Sequence, residues 1–268
     1  MSSVLPPILY GTAWKAERTA DCVARALRAG FRGIDTACQP KHYHEPGVGE
    51  AVAAYGAARE ALYLQTKFTS LSGQDPQRLP YDARAPLAEQ VAQSLQASLR
   101  NLRTDYLDCV VLHAPLRAAA DTLAVWRALE RGVEQGIVRQ LGISNCYDED
   151  VLLELCASAR VQPAVLQNRL YSDSGYDKEL RVLCRERGIV YQSFWTLTAN
   201  KHLLQYAAVT ALSKKYGRTP AQVLFRYLTH ERIVPLTGTQ SDAHMAEDLA
   251  IFEFELSEQE RATITALL

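Results

Sequence analysis

Short runs of β-branched and other apolar residues alternate with longer stretches of helical period along the chain. The runs Ile8–Tyr10, Phe31–Asp35, Leu62–Phe68 and Tyr106–His113 read as strands, as do Val138–Ser144, Ala164–Gln167, Ile189–Phe194 and Ile233–Leu236. Thr19–Ala29 carries apolar positions at helical spacing and stops at Gly30, a residue suited to the left-handed turn after a helix. Pro86–Leu102 places Leu87, Val91, Leu95, Leu99 and Leu102 on one face. Further helices are expected over Asp121–Gln135, Asp148–Ser158, Asp177–Arg187 and Tyr206–Tyr216, with Gly136, Gly188 and Gly217 after three of them. Another opens at Pro220, because proline lacks only the N–H that the first helical turn leaves unbonded, and a last one covers Leu256–Leu267. Leu197–Leu204 reads as a loop crossing one rim.

Strands and helices in this order imply parallel βαβ units. Eight in one uninterrupted series favour a closed barrel over a doubly wound sheet, and 268 residues match the length of such a barrel. No linker, fixed-period repeat or break in composition divides the chain. The expectation is therefore α/β: one (β/α)8 TIM barrel, a single domain over residues 1–268.

Composition narrows the function. A net charge of -1 and the lack of any strongly basic stretch argue against nucleic acid as a partner. No apolar run reaches the roughly 18 residues of a membrane span, and the opening Met-Ser-Ser-Val-Leu-Pro-Pro has no signal-peptide pattern. The six cysteines show no Cys-x-x-Cys spacing and read as reduced thiols of a cytoplasmic protein, with no metal site expected.

Four ionisable residues fall at strand ends or in the loop that follows: Asp35, Tyr43, Lys67 and His113. Singly, an Asp after a strand is an ordinary helix cap, a Lys a solvated side chain, and a His in an apolar run a core residue. Parallel barrel strands would bring all four to one rim, where βα loops build active sites. A Lys beside a Tyr lowers the phenol's pKa, and a carboxylate holds the Lys charged. Such a set can give a proton to a carbonyl oxygen.

The segments Phe-Arg-Gly-Ile-Asp-Thr-Ala, Tyr-His-Glu-Pro-Gly-Val-Gly, Thr-Lys, Leu-His-Ala-Pro and Gly-Ile-Ser-Asn, in this order, resemble the aldo-keto reductase family. The likeness runs from Gly11-Thr12 to Pro235-Leu236-Thr237, and the Pro-Lys-His-Tyr segment resembles a fungal subset of that family. It implies a barrel oxidoreductase that reduces aldehydes or ketones by direct hydride transfer from NAD(P)H without a Rossmann domain. Tyr43 would be the proton donor, Lys67 and Asp35 its support, and His113 the group that orients the carbonyl. It further implies cofactor contacts at Gly11, Thr12, Asp35, Ser144, Asn145, Gln167, Phe194, Trp195, Leu236, Thr237, Thr239, His244, Glu247 and Asp248. Trp14, Tyr43, His113 and Trp195 would meet a small carbonyl or alcohol substrate, in a pocket also walled by Tyr171 and the 197–200 loop.

The sequence departs from the family pattern in three places. Cys38–Tyr43 looks like a short insertion that must bulge to return Tyr43 to Lys67. Leu236 stands where a Lys is common and His244 near the place of an Arg, which weakens the grip on a 2′-phosphate; NADP(H) is favoured, with NAD(H) possible. An N-terminal hairpin and a long C-terminal loop, common in the family, are expected to be lacking. Two rival readings are a cofactor-binding regulatory subunit with little turnover, and an isomerase using Lys67 as a Schiff-base amine. Oligomeric state, reaction direction and physiological substrate are not legible in the sequence.

Overall fold

A computed structural model describes residues 4–268. Its strands close into one parallel barrel in sequence order. The first half runs β1 (Leu9–Gly11), α1 (Thr19–Ala29), β2 (Gly33–Asp35), α2 (Glu45–Tyr55), β3 (Tyr63–Phe68), α3 (Leu87–Leu102), β4 (Leu107–Leu112) and α4 (Ala119–Glu134). The second half begins with β5 (Val138–Ser144), α5 (Glu149–Ser158), β6 (Val165–Arg169), α6 (Lys178–Arg187) and β7 (Val190–Phe194). Then come α7 (Thr196–Ala199), α8 (Ala207–Tyr216), α9 (Pro220–His230), β8 (Ile233–Thr237), α10 (Asp242–Leu249) and α11 (Glu258–Thr265). The eight strands and most helices match the periodicity to within a residue or two.

The side-chain alternation of a strand separates two cores. Leu9, Tyr63, Cys109, Val111, Val165 and Leu236 fill the barrel interior. The opposite faces, such as Tyr10, Ile34, Leu64, Phe68, Val110 and Leu112, join the larger core under the helices. Local chemistry fixes the helix starts. Thr219 and Gln222 form a reciprocal capping box on α9, with Pro220 in its first turn, and Ser257 and Glu260 do the same for α11.

The hydrophobic period did not reveal α2, which has two glycines and little segregation of polar from apolar residues. Its glycines make close packing possible. A Cβ on Gly49 would lie 2.1 Å from the Asn101 carbonyl oxygen, so the helix can rest on the end of α3 only without a side chain there. Glu45, at the start of α2, is buried. It accepts hydrogen bonds from Thr66 Oγ1 (2.6 Å), Ser98 Oγ (2.8 Å) and Asn101 Nδ2 (3.0 Å), tying α2 to β3 and α3.

The segment expected as a plain loop over Leu197–Leu204 is more ordered than that. Asn200 is buried and donates to Leu170 O (2.6 Å) and Thr196 O (2.8 Å), and Leu203 packs into the outer core.

Candidate active site

The floor of the site is polar. Lys67 Nζ donates to Asp35 Oδ2 at 2.6 Å and to Thr36 O at 2.8 Å, and both charged side chains are almost fully buried. Asp35 Oδ1 accepts from Gln65 Nε2 (2.7 Å) and Gln167 Nε2 (3.0 Å). Gln192 completes a belt, accepting from both of those amides at 2.8 Å and donating back to Gln65 Oε1 at 3.0 Å. Strand register explains the belt, because Asp35 lies beside Gln65 and Gln167 beside Gln192 on inward faces. Gln65 and Gln192 carry no sequence signal, since a lone Gln within a strand becomes a partner only when the barrel closes.

Tyr43 sits over this floor. Its ring lies 5.2 Å from Lys67 Nζ and 6.0 Å from the His113 ring, which meets it edge-on. The 38–43 segment returns it by a tight turn: His42 N and Tyr43 N both donate to Gln39 O, at 3.1 and 3.0 Å. Gln39 is itself anchored, its Nε2 donating to Gly73 O at 2.6 Å. The Tyr43 pKa corrects one expectation. Burial raises it, and the opposing pull of the Lys67 charge does not cancel that rise, so the phenol titrates above its usual value. Lys67 moves up as well: burial pulls it down, but the Asp35 and Tyr43 charges outweigh burial.

His113 follows β4 and extends the ladder, its N–H donating to Phe68 O at 2.9 Å. Its Nδ1 lies 2.6 Å from Thr69 Oγ1. Burial, with help from the Lys67 charge, pushes its pKa down to about 3, so the imidazole is neutral near pH 7.

At the end of β5, Ser144 Oγ donates to Gln167 O (2.6 Å), and Asn145 Nδ2 donates to His113 O (2.8 Å) and Ser144 Oγ (3.2 Å). These donors are engaged. The acceptors Asn145 Oδ1 and Gln167 Oε1 remain for a bound NH2 group such as a carboxamide. At the rim Trp14 and Trp195 adopt left-handed backbone (φ 62° and 55°), uncommon for a bulky residue, and Asn145 (φ 51°) does so as Asn more readily can.

Above the floor opens a cavity of about 760 Å³, a size typical of cofactor sites. Its wall includes Gly11, Trp14, Asp35, Tyr43, His113, Ser144, Asn145, Gln167, Phe194, Trp195, Leu236, Thr237, Thr239, His244, Glu247 and Asp248. Among the expected site residues, Thr12 is not on this wall: it is buried, with its N and Oγ1 both donating to Asp35 O at 3.0 Å. Lys67 lies beneath the wall, under Tyr43. Tyr171 is also off it, standing behind Arg169. Asp248 is buried and accepts from Thr237 Oγ1 at 2.6 Å; burial raises its pKa to about 6. His244 is exposed, with Nδ1 3.4 Å from Thr239 Oγ1.

Two cations on the wall escaped the sequence pattern. Lys15 is buried, with Nζ donating to Gly238 O at 2.9 Å in the loop after β8, and burial lowers its pKa to about 8. Arg169 ends β6 beside Phe194.

The model of the Aldo/keto reductase family matches residues 8–268. An aldo-keto reductase of Mycolicibacterium paratuberculosis is 32% identical over 252 residues, covering 94% of this chain and 82% of its own. The methylglyoxal reductase DkgA of Salmonella typhimurium is 28% identical over 268 residues, covering 99% of this chain and 90% of its own. Among solved structures, an aldo/keto reductase from Brucella melitensis superposes with TM-score 0.84 at 27% identity, covering 98% of this chain and 95% of its own. An aldo-keto reductase (AKR2E5) in complex with NADPH gives 0.80 at 26% identity, covering 98% and 84%. A family match over nearly the whole chain, on a barrel of the same architecture, leaves one assignment: the chain belongs to the aldo/keto reductase family and is an NAD(P)H-dependent oxidoreductase.

Proposed function

We propose that the protein reduces a small aldehyde or ketone to an alcohol, with Tyr43 as proton donor and NADPH as the favoured reductant. The observation that carries this reading is the stack of Tyr43 over the buried Lys67–Asp35 pair, with a neutral imidazole at its edge.

The wall residues fit a nicotinamide cofactor. Phe194 offers a flat ring, and the free acceptors of Asn145 and Gln167 suit a carboxamide. When bound, the cofactor supplies hydride to the carbonyl carbon. The protein's own part is the proton. A raised pKa keeps Tyr43 protonated at neutral pH, the form a donor needs. As charge builds on the carbonyl oxygen, Tyr43 passes its proton there, and Lys67 stabilises the phenolate left behind. With Thr69 Oγ1 as the donor across its 2.6 Å contact with His113 Nδ1, the neutral imidazole would carry its proton on Nε2, free to hydrogen-bond the same oxygen. Lys67 is poorly suited to Schiff-base chemistry, because Asp35 and Thr36 already hold its ammonium in a closed site.

Lys15 supports the preference for NADPH. It sets a cation against the Gly238 loop, close to where Leu236 and His244 depart from the family's basic pair. The name of the relative DkgA favours short 2-oxoaldehydes as a first substrate class to try. The six free thiols, all buried, fit a reducing, cytoplasmic compartment.

The test is Tyr43→Phe, assayed by NADPH oxidation with methylglyoxal and by NADPH binding. Turnover is expected to fall by about 10³-fold or more, with cofactor affinity within threefold of wild type. Turnover near the wild-type level would refute the proton-donor role.

A further inference from the structure

On the inward face of β6, Val165, Gln167 and Arg169 follow one another by strand alternation. Gln167 touches Asp35, and Arg169 lies one pleat further toward the mouth, about 6–7 Å along the strand. Its guanidinium is held by aromatic rings: Cζ is 4.5 Å from the Trp195 ring centre and 5.1 Å from that of Tyr171. The backbone N–H of Arg169 donates to Tyr147 Oη at 3.1 Å, and Tyr147 in turn meets Tyr171 edge-on. The two ring contacts therefore orient the guanidinium before anything binds.

What this cation lacks is an anion. Arg59, Arg127 and Arg226 each meet a carboxylate and at least one carbonyl oxygen. No ion pair among the described residues includes Arg169, and its Nε is buried with no hydrogen-bond partner. Arg181 is also short of partners, but only Arg169 of the two lies on the cavity wall. An oriented, unpaired guanidinium in a partly enclosed pocket is the group best suited to grip a carboxylate through two parallel N–H donors.

Resting on the reductase reading, we propose that Arg169 receives the carboxylate of the carbonyl substrate. The preferred class is then oxo-carboxylic acids short enough for the carbonyl to reach Tyr43 and His113 while the acid group meets Arg169. A cofactor phosphate is the other source of an anion. Lys15 and the loop after β8, across β7, are the proposed place for that phosphate, whereas Arg169 shares its strand with the Gln167 that touches Asp35. The exposed rings of Trp14 and Trp195 add apolar walls at the mouth, which favours an acid with a flat or aromatic substituent.

The experiment compares phenylglyoxylate with its methyl ester, titrated by calorimetry into protein saturated with NADP⁺. Wild type is expected to bind the acid at least tenfold more tightly than the ester. Arg169→Leu should erase that preference, and Arg169→Lys should keep part of it, since a point charge replaces the two-pronged donor. Equal binding of acid and ester by wild type would overturn the proposal, as would a preference for the acid that survives in Arg169→Leu. Loss of NADPH affinity in Arg169→Leu without loss of the acid preference would assign the guanidinium to the cofactor instead. NADPH-dependent reduction of the ester by wild type reports separately on the reductase reading. An acid preference that depends on Arg169, without any turnover, would keep the anion site and reject the reduction.

Discussion

Asp35→Asn isolates the energetic role of the buried pair. The change is nearly isosteric, and the Asn carbonyl oxygen can still accept from Gln65 and Gln167, as Oδ1 does now at 2.7 and 3.0 Å. The oxygen facing Lys67 at 2.6 Å becomes an NH2, so donor meets donor and the ammonium keeps only Thr36 O. Side-chain exposure is 1% for Lys67 and 4% for Asp35, so water cannot replace the lost charge. Removing one partner of such a pair costs about 3–5 kcal/mol. Urea denaturation followed by circular dichroism should show that loss, whereas Asp35→Asn with Lys67→Met should recover at least about 2 kcal/mol of it, because the orphaned charge is gone. The alkaline limbs should differ in sign. In wild type the raised Lys67 pKa gives stability that is present below the unfolded lysine value and lost as pH rises through the folded one. In Asp35→Asn burial loses its main opponent and, where it outweighs the remaining Tyr43 contribution, depresses that pKa, so stability should grow as pH rises toward the unfolded value. A single variant within about 1 kcal/mol of wild type, or a double variant no more stable than the single, would refute the claim that the pair is held by mutual compensation.

Other consequences are open to measurement. Gly49→Ala must push a methyl group against the Asn101 carbonyl and Leu102 backbone, so thermal unfolding should show a loss near the upper end of the overpacking range, about 3 kcal/mol. His113, neutral and depressed to about 3 in the folded chain, contributes stability that is present above the unfolded His value and lost as pH falls toward 3; His113→Gln should flatten that acid limb in urea titrations from pH 7 to 4. Lys15→Met should weaken NADPH binding tenfold or more and narrow its margin over NADH, read by quenching of Trp fluorescence, and an unchanged margin would remove Lys15 from the phosphate site.

How much of this was legible in the sequence follows from what kind of information each feature needs. Strands and most helices are encoded locally, by period and by end residues such as Pro220 and Gly217, and they appear within a residue or two. The helix Glu45–Tyr55 was not legible, because it is apolar on most sides and held by Glu45 and by glycine contacts with α3, which no short window contains. Asp35, Tyr43, Lys67 and His113 could be singled out because strand ends of a parallel barrel share one rim, so a one-dimensional position translates into a place. The sign of the Tyr43 shift could not be read that way. Proximity of Lys67 is a sequence-level inference, whereas the burial that outweighs it is a property of the packed whole.

The same distinction separates Gln65, Gln192, Lys15 and Arg169 from the rest. A polar residue within a strand has no local signature of duty; it acquires one when closure brings strands 3, 6 and 7 together around Asp35, or leaves a guanidinium on a wall without an anion. Gln65 and Gln167, braced by Gln192, fix Asp35 from the barrel side, Thr36 and Asp35 fix Lys67, and Lys67 lies under Tyr43. Each layer is held by the one below it, so the Tyr43 phenol is positioned by the buried groups beneath it. Trp14, Arg169 and Trp195 stand at the mouth, outside the hydrogen-bonded belt. On the proposed reading, substitutions there would alter substrate choice while Tyr43 and the floor beneath it stay in place.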